Sequence, residues 1–290
     1  MLITSAIISG IGLGSMYGLI ALGFHVTYVV SNTVNFAQGS AMMLGAVLGH
    51  TFAIRLGWPL PLAAVTALVL CGLFGLVVER ALVRPFVARG SNGWLMATVA
   101  AGIVLDNAVL FTFGKEPRSF PSILASKPIS IFGAGVYPLQ LIIPIVGLAI
   151  AVLLHVATHH TRRGKAMLAV VQNPDAARLM GINVNRAIAG SFVLSTTLAG
   201  LAGLLIAPLF SVNSDMGTLF GIKAFAVAIL GGITSAWGVT VAGLVYGVVE
   251  ALITSLFGSA YTQILMFTAV IVALAVMPNG LFQRRQAVKV

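Results

Sequence analysis

The chain has 290 residues, of which 59% are hydrophobic and only 8% are charged, and its formal net charge is +10. Soluble globular proteins carry charge on about 25% of their residues, so this composition excludes that class and indicates a polytopic membrane protein. The basic excess does not indicate nucleic-acid binding, because no binding motif is present and the Lys and Arg residues cluster in short segments, as membrane topology requires.

Nine apolar segments are candidates for crossing about 30 Å of hydrocarbon, which takes about 20 residues per helix. They predict an all-α bundle of eight or nine spans, which forms one transmembrane domain over residues 1–290. The first segment is predicted to stay as a span, since Arg55 is the first basic residue and no basic signal region precedes the segment. The predicted spans are 4–30, 35–54, 60–78, 94–113, 139–158, 187–210, 222–233, 239–257 and 261–277.

Basic residues predict which loops face the cytoplasm, because short loops rich in Lys and Arg stay inside. Segments 79–89 and 159–188 are therefore predicted to be cytoplasmic, with two spans between them, and the proline-rich segment 114–138 to be extracytoplasmic. Lys115, Arg118 and Lys127 lie in that outer segment and are exceptions to this charge rule. Most basic residues lie in the two inner segments and the tail, namely Arg80, Arg84, Arg89, Arg162, Arg163, Lys165, Arg178, Arg186, Arg284, Arg285 and Lys289.

Two polar interruptions, 31–39 and 230–238, break the helical pattern. Irregular backbone is tolerated in a bilayer only where protein buries it or where it lines a wet cavity, and paired interruptions can mark a transport path. Asn35 and Gln38 in the first interruption are accordingly candidates for that path. Ordinary turns at the membrane surface are the alternative interpretation.

Glycine recurs every fourth residue within several spans, and this spacing lets helix backbones approach closely in lipid. The pattern predicts tight helix packing. The glycines concerned are Gly10, Gly14 and Gly18, then Gly45 and Gly49, and finally Gly243 and Gly247.

Two acids, Asp106 and Glu250, lie within apolar runs. An ionisable group at the centre of a bilayer costs roughly 2.5–3.5 kcal/mol or more, so these acids, with Asn107, are further candidates for the transport path. The alternatives are a structural hydrogen bond between helices or a position near the outer surface. Asn213, Asp215 and Lys223 could meet a zwitterionic solute or a docking protein, or could be solvated loop groups.

The central polar segment, 159–188, contains the signature of a short helix. Asn173 can cap it, Pro174 suits its first position, and Asp175 lies at the positive end of its dipole. Gly181 can supply the left-handed residue that ends it. A helix this short is unstable alone, so we expect it to pack against a partner surface; a solvated basic loop is the alternative.

Signatures of soluble enzymes are missing from the sequence. No G-x-x-x-x-G-K-[ST] motif occurs, which excludes ATP hydrolysis by that route. His155 and His159 are spaced for one helix face, but without a nearby Glu or Cys they do not predict a metal site. The single cysteine, Cys71, can form no internal disulfide.

Several blocks resemble, in order, the permease subunits of branched-chain amino acid ABC importers. Each block alone is weak evidence for the family. Together the blocks occur in the family's order and cover essentially the whole chain. The blocks are 14–23, 34–40, 44–46, 163–166, 176–183, 199–203, 228–232 and 278–282.

The resemblance implies a cytoplasmic helix that docks in a groove of an ATPase subunit. That role falls on Asp175, Ala176, Ala177, Arg178, Leu179, Met180 and Gly181. It also implies a second homologous permease, two ABC ATPase subunits that bind ATP and Mg²⁺, and an extracytoplasmic solute-binding protein. This chain, in the bacterial inner membrane and its lipid, would hold no cofactor or metal. Relatives of this type are associated with leucine-like amino acids, amides, urea and aromatic acids.

Two other classes of protein stay open. A self-contained secondary transporter or channel would need several buried, pairable charges, and the sequence offers Asp106 and Glu250. An integral-membrane enzyme would need clustered nucleophile, base or metal ligands, and the sequence shows no such cluster.

Overall fold

Helices form nearly all of the apolar segments in the computed structural model, which describes residues 2–131, 134–277 and 280–281. The helices are α1 (Leu2–Ser31), α2 (Gln38–His50), α3 (Leu60–Val77), α4 (Arg84–Ala88), α5 (Trp94–Phe113), α6 (Pro138–His160), α7 (Arg162–Gln172), α8 (Pro174–Leu179), α9 (Val184–Ile206), α10 (Met216–Gly231), α11 (Ala236–Phe257) and α12 (Ser259–Val276). π-Helical turns at Thr51–Arg55 and Val78–Val83 follow α2 and α3. Strands β1 (Ile129–Ile131) and β2 (Ala134–Val136) form an antiparallel hairpin between α5 and α6.

Seven helical runs in the described residues are long and apolar enough to cross a membrane, and each overlaps a predicted span. One of them, Leu60–Ala88, continues beyond the predicted end at 78 into the segment 79–89. The other two predicted spans correspond to shorter helices, α2 with 13 residues before its π-helical turn and α10 with 16. The prediction of an all-α polytopic bundle is therefore confirmed. The predicted start at residue 222 is wrong, because α10 begins at Met216 and includes Lys223 within its apolar sequence.

The polar segments lie at two opposite ends of the bundle. At one, which we call the loop end, α7 and α8 pack near Val30 at the end of α1, and Arg84 Nη2 lies 3.5 Å from Asn185 O. Segments 79–89 and 159–188 therefore share an end, as predicted. The β-hairpin marks the other, the hairpin end, where β2 packs against α1 and Gly135 borders the same cavity as Ser5 and Ser9. The tail residues Arg284, Arg285 and Lys289, and residues 278, 279 and 282 of the last family block, lie outside the described residues.

Helix α1 lies at the centre of the bundle and packs against α6, α9, α10 and α11. Its glycines face those of α11: a Cβ built on Gly14 would lie 2.5 Å from Gly243 O, and one on Gly243 would lie 2.7 Å from Gly18 Cα. Gly247 packs on the backbone of Gly10 and Gly14. The glycine repeat thus brings two backbones into direct contact, as its spacing predicts.

A similar contact joins α2 to α9, where a Cβ on Gly45 would lie 2.5 Å from Gly200 Cα. Gly49 packs against the Leu204 side chain one turn further along. Both predicted small-residue faces therefore pack on neighbouring helices.

The first polar interruption is an unwound segment inside the bundle and not a surface turn. Asn35 and Gln38 have no exposed surface, and Thr33 is 3% exposed. Side chains satisfy part of the freed backbone, since Phe36 N donates to Thr98 Oγ1 (3.3 Å) and Ala37 N donates to Asn35 Oδ1 (3.1 Å). Buried protein surroundings are the condition under which irregular backbone is tolerated at membrane depth.

The second interruption is a short turn between α10 and α11. Gly232 has a positive φ of 80°, and Ser235 caps α11 by accepting a hydrogen bond from Gly238 N at 3.1 Å. A Cβ on Gly231 would lie 2.5 Å from Gly238 O, so the two helices leave the turn in close contact. The two interruptions therefore differ in kind.

Gln38 fixes the start of α2 to two other helices. Its Nε2 donates to Ser195 O (3.0 Å), and Ser195 Oγ lies 2.8 Å from both Gln38 Oε1 and Gly23 O. All of these atoms belong to the interior, so each lost partner leaves a buried polar group without a hydrogen bond.

Removing the Ser195 hydroxyl by Ser195→Ala should lower the free energy of unfolding by about 1–3 kcal/mol, the cost of unsatisfied buried groups. Thermal unfolding of the purified chain in detergent measures this change. Thr66→Ala is the matched control, because the Thr66 hydroxyl is exposed and bonds only within its own helix. Equal melting temperatures for both variants would show that this network is not stabilising.

Candidate docking helix and intramembrane polar sites

Helix α8 has the caps that the sequence predicts. Asn173 Oδ1 accepts hydrogen bonds from Asp175 N (3.1 Å) and Ala176 N (3.0 Å), and Pro174 is the first helical residue. Gly181 has a φ of 81°, and Ile182 N bonds back to Ala177 O at 3.0 Å. The predicted helix, its start and its glycine end are therefore confirmed.

Helix α7 precedes α8 and was not predicted. The sequence pattern indicates only a polar loop over 159–172. Thr161 caps α7 by accepting a hydrogen bond from Gly164 N at 3.0 Å. A Thr followed by residues with good helix propensity, with Val170 on its inner face, is the signal that could have identified it.

One face of α8 attaches it to the bundle. Ala177 is 3% exposed and packs in a small apolar cluster with Val170 of α7 and Val184 of α9, against which Val30 of α1 also rests. This cluster explains how a six-residue helix is stable, since packing supplies what so short a helix lacks. Through this cluster α8 is packed against α9 and, by way of Val30, against the end of α1.

The opposite face of α8 is exposed and partly apolar. Leu179 is 90% exposed and Met180 is 82% exposed, while Arg178 pairs on the same surface with Asp175 at 3.0 Å. The residues predicted to dock, Ala177 apart, are accessible. Apolar side chains this exposed at a bundle end, next to charges, are typical of an interaction surface.

Asp106 lies beside a small cavity between α2, α5 and α10. Its Oδ2 is 3.4 Å from Thr218 Oγ1, and the cavity of about 260 Å³ is bordered by Ser40 and by Phe36 and Phe225. Asn107 does not share this position, since it is exposed and its Nδ2 bonds to Ile103 O (2.8 Å) within α5. Of the two neighbours, the structure places only Asp106 towards other helices.

Glu250 forms a buried ion pair with Lys223. The ammonium group contacts Glu250 Oε1 and lies 3.4 Å from the Tyr17 hydroxyl. Lys223 and Glu250 are each 7% exposed, so the interpretation of Lys223 as a solvated loop charge is wrong. The predicted span 222–233 contains Lys223, but the sequence does not indicate that this side chain faces Glu250 on another helix, so the pair was missed.

A large cavity lies beside this ion pair, between α1, α10, α11 and α12. Its volume is about 880 Å³, and its lining includes Tyr17, Lys223 and Glu250. Asn35 and Gln38 do not line it, and they act in the internal contacts of α2. The cavity and the smaller one beside Asp106 lie on different faces of α10.

The remaining polar candidates have local roles. Asn213 Oδ1 accepts from Asp215 N (3.1 Å) in the turn before α10, and His155 and His159 stack with ring centroids 4.4 Å apart. In the part of the chain that the structure describes, no group of three or more His, Cys, Asp or Glu side chains could hold a metal ion.

A polytopic bundle with an unwound internal segment, cavities between its helices and an exposed helix at one end is typical of membrane transport proteins. The family model described as branched-chain amino acid transport system / permease component matches residues 6–275. The chain belongs to this family, and it is the permease component of a transport system.

Curated relatives agree with this assignment, and a solved structure shares the fold. The high-affinity branched-chain amino acid permease protein LivH of Escherichia coli K12 is 32% identical over 97% of this chain and 96% of its own. The corresponding protein BraD of Pseudomonas aeruginosa is 32% identical over 98% and 97%. PsaBC from Streptococcus pneumoniae, solved in complex with Fab, shares the fold with a TM-score of 0.51 at 14% identity, over 94% of this chain and 91% of that one.

Proposed function

We propose that this chain is the permease subunit of an ATP-binding cassette importer in the bacterial inner membrane. Its solute is a branched-chain amino acid or a related small molecule such as an amide, urea or an aromatic acid. A second homologous permease completes the path, two ATPase subunits bind ATP and Mg²⁺ and supply the energy, and an extracytoplasmic binding protein delivers the solute. The similarity to branched-chain amino acid permeases supports the solute class.

The exposed apolar face of α8 is the observation that carries this proposal. Leu179 and Met180 are almost fully exposed, yet Ala177 on the other side of the same helix is fixed to the bundle. A partner that holds α8 therefore acts on α1 and α9. In this proposal the loop end is cytoplasmic, as its basic residues favour, and the ATPase groove receives α8.

The mechanism follows from the contacts of α1. Val30 rests on the α8 cluster near one end of α1, and Tyr17 in its middle lies against Lys223 of α10. Movement of the ATPases would thus reach the helices that border both internal cavities. Each nucleotide state must favour one arrangement of the helices, because a ligand shifts an equilibrium only by its differential affinity.

Coexpression of this chain with candidate permease, ATPase and binding-protein partners tests the proposal. We expect one complex to copurify and, in liposomes, to take up leucine only with ATP and the binding protein present. The chain alone should not transport. Uptake by the single chain, driven by an ion gradient without ATP, would instead identify a secondary transporter and overturn the proposal.

A further inference from the structure

The Lys223–Glu250 pair is incompletely satisfied. Glu250 Oε1 contacts the Lys223 ammonium, whereas Glu250 Oε2 is buried and has no hydrogen bond of standard geometry within the described residues. Lys223 has three N–H donors, and its Nζ contacts Glu250 and the Tyr17 hydroxyl. The three side chains therefore form one polar cluster, in which not every donor and acceptor has a hydrogen bond of standard geometry.

A buried pair of this kind is costly unless it has another role. Removing two charges from water costs free energy that their mutual attraction does not always offset. Apolar residues of similar size in the same positions are often equally stabilising. Ionisable groups inside membrane bundles are for this reason usually part of a substrate or ion pathway. The adjacent cavity of about 880 Å³ falls within the usual range of small-molecule sites, about 300–1,000 Å³.

The cavity lining has two chemical parts. Around the ion pair, Leu13, Phe210 and Phe220 give an apolar surface, and towards the hairpin end the lining is rich in hydroxyl and amide groups. The polar lining residues are Ser5, Ser9, Thr254, Ser255, Ser259, Thr262 and Gln263. Such a cavity can admit a hydrated solute from the hairpin end and offers both charges and an apolar surface further in.

We infer that Lys223, Glu250 and Tyr17 form a binding site for the zwitterionic head of an α-amino acid. The solute ammonium lies against the Glu250 carboxylate where it borders the cavity, and the solute carboxylate accepts from Lys223 and from the Tyr17 hydroxyl. The solute then inserts beside the existing pair and completes an alternating arrangement of charges, so no buried charge is left unpaired. Its apolar side chain contacts Leu13, Phe210 and Phe220.

This inference rests on the proposed function, because it assumes that the hairpin end is the outer side to which the binding protein delivers solute. It adds what the family assignment leaves open, the groups that recognise the solute within the permease. A neutral amide or urea would gain little at such a site, since it could balance neither charge. The site therefore selects amino acids among the solutes proposed above.

Transport by the reconstituted full complex tests the site directly. We expect the double variant Lys223→Met with Glu250→Gln to lower leucine uptake about tenfold or more, because desolvated charge pairs at binding sites contribute at least this much. The double variant removes both charges together and so leaves neither one buried alone. Copurification with the partner subunits and the melting temperature serve as folding controls.

A pair of tyrosine variants supplies the matched control. Tyr17→Phe removes a hydroxyl that lies against Lys223 in the cavity, and we expect a raised KM for leucine. Tyr246→Phe keeps a ring that packs edge-on against Tyr17 (centroids 5.4 Å apart) and removes only a hydroxyl that has no hydrogen-bond partner among the described residues, so we expect no change in KM. Equal effects of the two variants would assign Tyr17 to packing alone and overturn its role.

Cysteine protection tests the charge requirement. Cys71 is fully buried, so Ser9→Cys introduces one accessible thiol at the cavity. Leucine should slow its reaction with a charged thiol reagent, whereas isoamylamine and 4-methylpentanoate, which each lack one of the two charges, should not. Equal protection by all three would overturn the zwitterion site.

Different results would overturn the proposed function and the proposed binding site. Absence of ATP-dependent uptake by the wild-type complex would overturn the proposed function and, with it, this inference. Wild-type uptake retained in the Lys223→Met, Glu250→Gln variant would overturn the inference alone.

Discussion

Replacing both exposed apolar residues of α8, as Leu179→Asp with Met180→Asp, is expected to abolish ATP-driven uptake while the chain stays folded. Loss of a hot-spot residue at the centre of an interface costs about 2 kcal/mol or more, so two charged replacements on the docking face should weaken ATPase docking by well over tenfold. The bundle should tolerate the change, because these side chains are 90% and 82% exposed. Copurification of the ATPase subunits and uptake in liposomes measure the two consequences.

Leu56→Asp is the matched control for this variant. Leu56 is 54% exposed and follows the π-helical turn after α2, towards the hairpin end, so the same exchange there should leave ATPase binding unchanged. Arg178→Ala and Gly181→Ala should reduce uptake less severely. Gly181 has open space around it but a positive φ, so its replacement strains the helix end without a steric clash. Wild-type ATPase recovery with the Leu179 and Met180 double variant would remove the docking role from α8.

Introducing a large side chain at Gly247 is expected to prevent assembly of the bundle. A Cβ there would collide with the Gly14 backbone on α1, and backbone atoms of two long helices cannot move aside as a flexible side chain can. Gly247→Leu should therefore yield almost no monodisperse chain in detergent, the outcome of severe overpacking. Size-exclusion chromatography of the expressed chain measures it.

The matched control lies on α9. Gly190→Leu makes the same exchange at an exposed helical glycine that has no atom within 4 Å of an added Cβ, so the chain should be recovered at the wild-type yield. Comparable recovery of both variants would show that the α1–α11 contact is dispensable for folding.

Sequence periodicity predicted most of the bundle, because a membrane span needs a long apolar run that few other structures share. The α5 boundaries, Trp94–Phe113, are those of the predicted span. The same reasoning failed at the start of α10, where the helix begins at Met216, six residues before the predicted span. The ion pair between Lys223 and Glu250 was not predictable either, because pairing across helices leaves no trace in the local sequence.

The site was predictable where its signals are local. Asn173, Pro174 and Gly181 specify α8 through backbone preferences that apply to a short stretch of chain. The exposed position of Asn107 and the internal role of Gln38 depend on how helices rotate and pack, which single-sequence patterns do not determine. The docking and transport roles of these residues stay predictions until the variants above are measured.

The contact between α1 and α11 has a consequence for biosynthesis. The ribosome makes α1 first, but its glycine face meets its partner only when α11, near the other end of the chain, has entered the membrane. Until then that face is covered by lipid or by the insertion machinery, so nascent chains arrested before α11 should be degraded faster by membrane proteases than full-length ones. We therefore expect quality control of this permease to depend on the synthesis of α11.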